Sequence, residues 1–262
     1  MIARAGLDLV FFTSSPLGIE AAAALVGLPE VRSVHLITTS LPRPRSPVER
    51  LLKTWRYYGP AGLLASVRSR LPMAPAAPSL ADLAARVIPA AVHFHYADLH
   101  SADCLDHIRR LRPDLGIVFA CYRLQRNLFE IPRLGTLNLH LGKAPDFRGS
   151  SPGFYELLAG VPEIGVTVHW VDDDLDTGPI VRQRTFPLDT APPGDPIRYL
   201  SALQRTVLVP AGAALLADAV RGEAYGESVL LPQPAGGGRP HRRATWAQQR
   251  MLRRIVAARR AG

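Results

Sequence analysis

Apolar positions in this chain fall into short runs of strand length, set apart by turn residues and by stretches with helical spacing. Asp8 to Thr13 (DLVFFT) is a nearly continuous apolar run, the pattern of a strand buried on both faces. Ser14-Ser15-Pro16-Leu17-Gly18 turns it into an alanine-rich helix over Ile19 to Val26. Val31 to Thr39, Ala91 to Tyr96 and Asp114 to Ala120 repeat the strand signal, with a helix predicted over Ser101 to Leu111. Residues 40–90 are less regular. Pro42, Pro44 and Pro47 punctuate a basic loop, helices over Glu49–Tyr58 and Gly62–Leu71 break at Gly59-Pro60, and Pro72–Pro78 reads as a linker.

Further on, Asn127–Ile131 reads as a short helix. Leu137 and Leu139 then alternate with Asn138 and His140, the period of a strand, so the two polar residues share a face. Gly142 and Pro145 end that strand just past His140. Ser150 or Ser151 is the expected cap of a helix with Pro152 in its first turn, running to Leu158 or Ala159. Strands over Val166–Val171 and Ile180–Phe186 flank an acidic loop, Asp172-Asp173-Asp174-Leu175-Asp176-Thr177-Gly178. Asp195–Ala219 reads as a long helix interrupted at Pro210, residues 233–242 as a loose loop, and Ala244–Arg260 as a basic helix. No internal repeat is visible. Strands alternating with helices predict an α/β fold: a Rossmann-like, mostly parallel twisted sheet with flanking helices, plus a short helical C-terminal extension. The expected division is 1–190 as the catalytic domain and 191–262 as the helical extension with its basic tail.

Length and composition narrow this. A chain of 262 residues with 47% hydrophobic content can build one sizeable core. The opening apolar run is too short for a signal peptide or a membrane span, so a cytoplasmic protein with no membrane partner is expected. Cys104 and Cys121 give neither a disulfide framework nor a zinc pattern. Net charge is +9, carried almost wholly by arginine, since lysine occurs only at 53 and 143. That balance admits phosphorylated or nucleic-acid partners and alone establishes neither. A dinucleotide site is not expected, because only Gly18 stands where a G-x-G-x-x-G fingerprint would lie. Ser14 and Ser15 can hold an anion at the helix start, and ordinary capping explains them equally well. His93, His95, His100, Cys104 and His107 lack any standard zinc spacing, and no metal is expected. Tyr57-Tyr58 with Arg56, Arg68 and Arg70 can grip an aromatic or phosphorylated acceptor, or be a solvated helix face.

Asn138, His140 and Asp176 each have an ordinary explanation alone: a strand end, a loop histidine, a turn aspartate. The acidic loop can be solvated or can hold a hard cation. Together they stand inside a longer pattern: Asn138-Leu139-His140, Pro145, Arg148-Gly149, Gly165-Val166-Thr167-Val168-His169 and Leu175-Asp176-Thr177-Gly178-Pro179. In order and spacing this resembles the folate-dependent formyltransferases, the group of the methionyl-tRNA, glycinamide ribonucleotide and amino-sugar formyltransferases. A weaker likeness runs from about residue 8 to about 220.

The resemblance implies an N-formyltransferase that moves a formyl group from 10-formyltetrahydrofolate to a primary amine. Asn138, His140 and Asp176 would be catalytic. Asn138 would donate to the oxyanion, His140 would donate or take a proton, and Asp176 would orient His140 or relay the amine's proton. Cys121, Tyr122, Arg123 and Leu124, with Asp172, Asp173 and Asp174, would bind the folate donor. Leu141-Gly142-Lys143-Ala144 departs from the Pro-Ser-Leu-Leu usual after the histidine in purine and tRNA members, and leaves the acceptor open. The helical tail points to a small-molecule amine, an amino sugar or a natural-product precursor, with no nucleic-acid partner expected and room for a homodimer. The alternatives are a formyltetrahydrofolate hydrolase with the same triad, or a non-catalytic folate- or nucleic-acid-binding protein using Arg242, Arg243, Arg250, Arg253, Arg254, Arg259 and Arg260.

Overall fold

The computed structural model describes residues 6–40, 44, 46–68, 78–234 and 240–261. Pro42, Arg70, most of the 72–78 linker and the middle of the 233–242 loop lie outside the described residues. Seven strands form one sheet: β1 (Leu7–Thr13), β2 (Val31–Thr39), β3 (Val92–Tyr96), β4 (Leu115–Val118), β5 (Thr136–His140), β6 (Glu163–Trp170) and β7 (Ile180–Pro187). They lie in the order β3-β2-β1-β4-β5-β6-β7. The first five run parallel, and β6 and β7 are antiparallel to their neighbours. Helices flank the sheet on both faces, as the α/β pattern requires.

The near-continuous apolar run of β1 explains its central place. Leu9 and Phe11 enter the core on one face, beside Leu36, Ile117, Leu137 and Leu139. Val10 and Phe12 enter the core on the other, beside Ile37 and Val118. Each such side chain, wholly removed from water, contributes about 1.5–3 kcal/mol. The first face is covered by α1 (Pro16–Ala23), and the second by a helix that α2 (Pro47–Arg68) and α3 (Leu80–Val87) precede, namely α4 (Ala102–Leu111). Ser15 caps α1 by accepting from Leu17 N–H at 3.3 Å, so the helix begins at Pro16, ahead of the expected Ile19. α2 does break at Gly59, whose φ of 63° and ψ of −159° are not helical.

Three expectations are corrected. First, α3 was hidden in the irregular stretch. It is defined by a capping box in which the Ser79 hydroxyl accepts from Asp82 N–H and the Asp82 carboxylate from Ser79 N–H. Second, after the short α5 (Arg126–Phe129), the helix α6 (Phe154–Ala159) is not capped by Ser150 or Ser151. Gly153 precedes it at φ 75°, and the Ser151 hydroxyl is taken by Ala244 N–H at 3.0 Å. Third, the long C-terminal helix is not interrupted at Pro210 but ahead of it. α7 (Pro196–Leu203) passes through a π-helical turn, Gln204–Leu208, into α8 (Val209–Tyr225). Pro210 has no N–H for the Thr206 carbonyl, and the wider turn before it makes room for the ring.

α8 lies against β5, β6 and β7, burying Gly212, Ala213, Leu216 and Val220. The run Pro196–Tyr225 is long and apolar enough to cross a membrane by length and composition. Its apolar face is already used here against the sheet. The last helix, α9 (Trp246–Ala261), packs on α2, α6 and α7.

Candidate active site

A cleft of about 300 Å³ opens at the carboxyl ends of β4 and β5, where open α/β sheets receive ligands. The antiparallel pairing of β5 with β6 places Asn138 opposite His169. The acidic loop that follows β6 brings Asp176 back over this pair. Asp176 is a buried non-glycine residue at φ 56°, a left-handed conformation that aspartate tolerates better than most.

Four side chains and one peptide group meet there. Asn138 Nδ2 donates to Asp176 Oδ1 at 2.9 Å and lies 3.0 Å from His169 Nε2. Gly149 N–H donates to Asp176 Oδ2 at 2.7 Å. His140 Nδ1 stands 3.6 Å from the same oxygen, and His140 Nε2 donates to the Phe147 carbonyl at 2.7 Å. His169 Nδ1 donates to the Trp170 carbonyl at 2.8 Å, which leaves its Nε2 facing Asn138 and, at 3.5 Å, Asp176 Oδ1. When neutral, His169 accepts from the amide; when protonated, it donates to the carboxylate and frees that amide hydrogen. Burial alone would raise the Asp176 carboxyl. The charge of His140, the contact with His169 and the Gly149 N–H outweigh it and hold the group below its ordinary 3.8.

Of the residues expected at the folate, Cys121, Tyr122, Arg123, Leu124, Asp172 and Asp174 line the cleft. Asp173 does not; it is turned outward and paired with Arg126. The Cys121 thiol is pushed up to about 12 by burial, so it stays protonated at neutral pH and offers no nucleophile. Ser14 is spent on the Ala120 carbonyl at 2.8 Å. His93 and His95 share a strand face as expected, both on the Thr38 hydroxyl at 2.7 and 3.0 Å.

Sequence reasoning did not single out His169, Gly149 or Gln204 as site residues. His169 was visible as the last residue of Gly-Val-Thr-x-His, in register with Asn138. Gly149 acts through its peptide group, which carries no side-chain signal. Gln204 lines the cleft from the π-helical turn, a feature without a sequence pattern.

Residues 67–193 match the family model described as formyl transferase. The methionyl-tRNA formyltransferase of Roseiflexus sp. (strain RS-1) is 37% identical over 139 residues, which is 53% of this chain and only 39% of that enzyme. Among solved structures, the N-formyltransferase from Helicobacter canadensis, crystallised with folinic acid and dTDP-3-aminofucose, superposes with a TM-score of 0.58 at 15% identity. That alignment covers 90% of this chain and 71% of the other. A protein from Mycobacterium tuberculosis described as a likely sugar N-formyltransferase gives 0.56 at 18%, over 95% and 87% of the two chains. At these identities the structures establish the fold; the family match falls on the stretch that builds the cleft, residues 67–193 are similar to the formyl transferases, and the chain spans less than half the length of the curated relatives it matches.

Proposed function

We propose that this chain is an N-formyltransferase that carries a formyl group from 10-formyltetrahydrofolate to a primary amine, with Asn138, His140 and Asp176 as its catalytic residues. One observation carries the reading: a buried carboxylate tied to an amide and two imidazoles at the floor of a cleft at the sheet's carboxyl edge. The chemistry needs a donor for the developing oxyanion and a path for the amine's proton. Asn138 supplies the first without titrating, once the hydrogen shared with His169 is released. His140, against Asp176, supplies the second. The cleft suits a folate donor: Val118, Phe119, Leu124, Val171 and Leu175 offer an apolar slot, and the Cys121–Leu124 loop and Asp172 offer polar edges. Relatives whose structures hold folinic acid share the fold.

For the acceptor we favour a small-molecule amine. The basic tail is largely occupied within the chain. Arg253 pairs with Asp195 at 2.7 Å, Arg259 and Arg260 donate to main-chain carbonyls, and Arg243 covers Tyr57 and Tyr58. This supports a small acceptor over nucleic acid, although the curated relatives act on methionyl-tRNA by name. The test is a spectroscopic assay of 10-formyltetrahydrofolate consumption with a panel of amino sugars, amino acids and glycinamide ribonucleotide. Amine-dependent release of tetrahydrofolate, lost in Asn138→Ala, His140→Ala and Asp176→Ala, is expected. Turnover without amine would make it a hydrolase, and no turnover with any amine would sink the transferase reading.

A further inference from the structure

The loose stretch before the last helix, Pro240 to Thr245, crosses the loop that serves the cleft. His241 N–H donates to the Arg148 carbonyl at 2.9 Å, and Ser150 N–H donates to the His241 carbonyl at 2.8 Å. These two bonds bracket Gly149. Within one trans peptide group the C=O and the N–H point to opposite sides. With Arg148 and Ser150 held to one side, the Gly149 N–H is aimed to the other, where it meets Asp176. The His241 ring lies flat on Tyr155, 4.0 Å between centroids at 12°, and is stacked with Phe147 at 6.1 Å. Phe147 supplies the carbonyl that holds His140. A tether of His140 and a tether of Asp176 therefore come from one four-residue loop, Phe147 to Ser150, and His241 pairs with the outer edge of that loop.

We infer that His241 is a positioning residue for His140 and Asp176, acting through the Phe147–Ser150 loop; this rests on the transferase reading of the cleft. The need for glycine at 149 follows from the same contact. A Cβ there would stand 2.2 Å from the His241 carbonyl oxygen, and φ is 96°. The strap is itself tied down just after His241. Tyr155 OH donates to the Arg242 carbonyl at 2.7 Å, and Ala244 N–H to the Ser151 hydroxyl at 3.0 Å. Each such bond contributes about 1 kcal/mol net, modest for the fold. The geometric consequence is larger, since a misplacement of ~1 Å in a catalytic group can cost ~10²-fold in rate.

The experiment compares His241→Pro, which removes the N–H to Arg148, with His241→Ala, which removes the ring stack, and His241→Phe, which keeps a flat ring and both peptide groups. Two readouts are taken: kcat and KM for the formyl donor, and the Asp176 carboxyl midpoint from ¹³C NMR of aspartate-labelled protein. His241→Pro should lower kcat ~10-fold or more with donor KM within ~2-fold, and should raise the Asp176 midpoint as the Gly149 N–H is lost. His241→Ala should lose part of kcat, and His241→Phe should restore it. Folded Pro and Ala variants with unchanged kcat and an unmoved Asp176 midpoint would overturn the proposal. So would a fall in kcat that only tracks the folded fraction. If the Pro variant does not fold, the Ala and Phe pair decides: both equal to wild type would overturn it. The carboxyl titration is independent of activity. A midpoint that rises in His241→Pro, in a chain that transfers no formyl group, would keep the strap and discard the transferase reading.

Discussion

Asp176 and Glu156 are both buried carboxyls, and they respond to pH in opposite senses because partners outweigh burial at Asp176 while burial outweighs two backbone hydrogen bonds at Glu156. Asp176 has two imidazoles, an amide and a peptide N–H around it, and its carboxyl is held below 3.8. Its contribution to stability is therefore fully present above its ordinary value and is lost as pH falls through the lower folded value. Urea denaturation from pH 7 down to pH 3 should show wild type losing more stability below about 3.8 than Asp176→Asn, whose amide cannot titrate. The same substitution removes the charge facing His140 and should lower kcat by ~10²–10³-fold or more while the protein stays folded. Glu156 sits in α6 with Oε1 unpartnered, and burial pushes its carboxyl from 4.5 up to about 7. Its neutral form is favoured by the fold, so that stability is present below 4.5 and is lost as pH rises through about 7. Glu156→Gln should match wild type near pH 4 and exceed it near pH 8 by up to ~3 kcal/mol in urea denaturation.

Elements were legible in the sequence where their signal was local. The β1 run, the Leu137–His140 alternation and the break at Gly59-Pro60 all rest on residue types read in place, and each stands in the fold where the pattern put it. The long helix was read correctly in extent at its start and wrongly at its interruption, because a π turn ahead of a proline depends on how the chain relaxes. The cap at Ser150 or Ser151 failed for a tertiary reason: Ser151 is bonded to Ala244, 93 residues away. The site was legible as far as its side chains carried a pattern. The peptide groups of Phe147 and Gly149 and the side chain of Gln204 were not, since position alone recruits them. The joint between α2 and α9 gives the test at this scale. Gly59 lies at a φ and ψ open essentially to glycine, and a Cβ there would stand 2.5 Å from the Trp246 ring. Gly59→Ala should cost ~1–3 kcal/mol from the backbone alone, and more from the displaced indole. A lowered Tm and a shift in tryptophan emission as Trp246 leaves Gly59 should be seen together; an unchanged spectrum would mean the two helices do not depend on this contact.

The whole molecule raises the question of where its positive charge goes. A net charge of +9 suggests an electrostatic partner, yet several arginines of the tail, Arg253 and Arg259 among them, are engaged within the chain. Arg259 donates to the Leu157 and Leu158 carbonyls at 2.6 and 3.0 Å, at the C-terminal end of α6 where Gly160 N–H also reaches Leu157, and to the Thr190 carbonyl at 3.3 Å. A cation at that end is favoured by the helix dipole as well. Arg260 bonds the Pro192 and Gly194 carbonyls, and Arg253 holds Asp195, which caps α7. These arginines fasten α9 to α6, α7 and the loop between β7 and α7. Arg259→Ala should therefore cost ~1–3 kcal/mol in urea denaturation, the range for losing hydrogen bonds from a charged donor. It should leave binding to a mixed RNA unchanged in a filter assay across 50–200 mM salt, where phosphate contacts would show as a steep loss of affinity. A steep salt dependence in wild type, flattened by Arg259→Ala without loss of stability, would mean that the charge serves a polyanion, and the choice of a small amine as acceptor would fall with it.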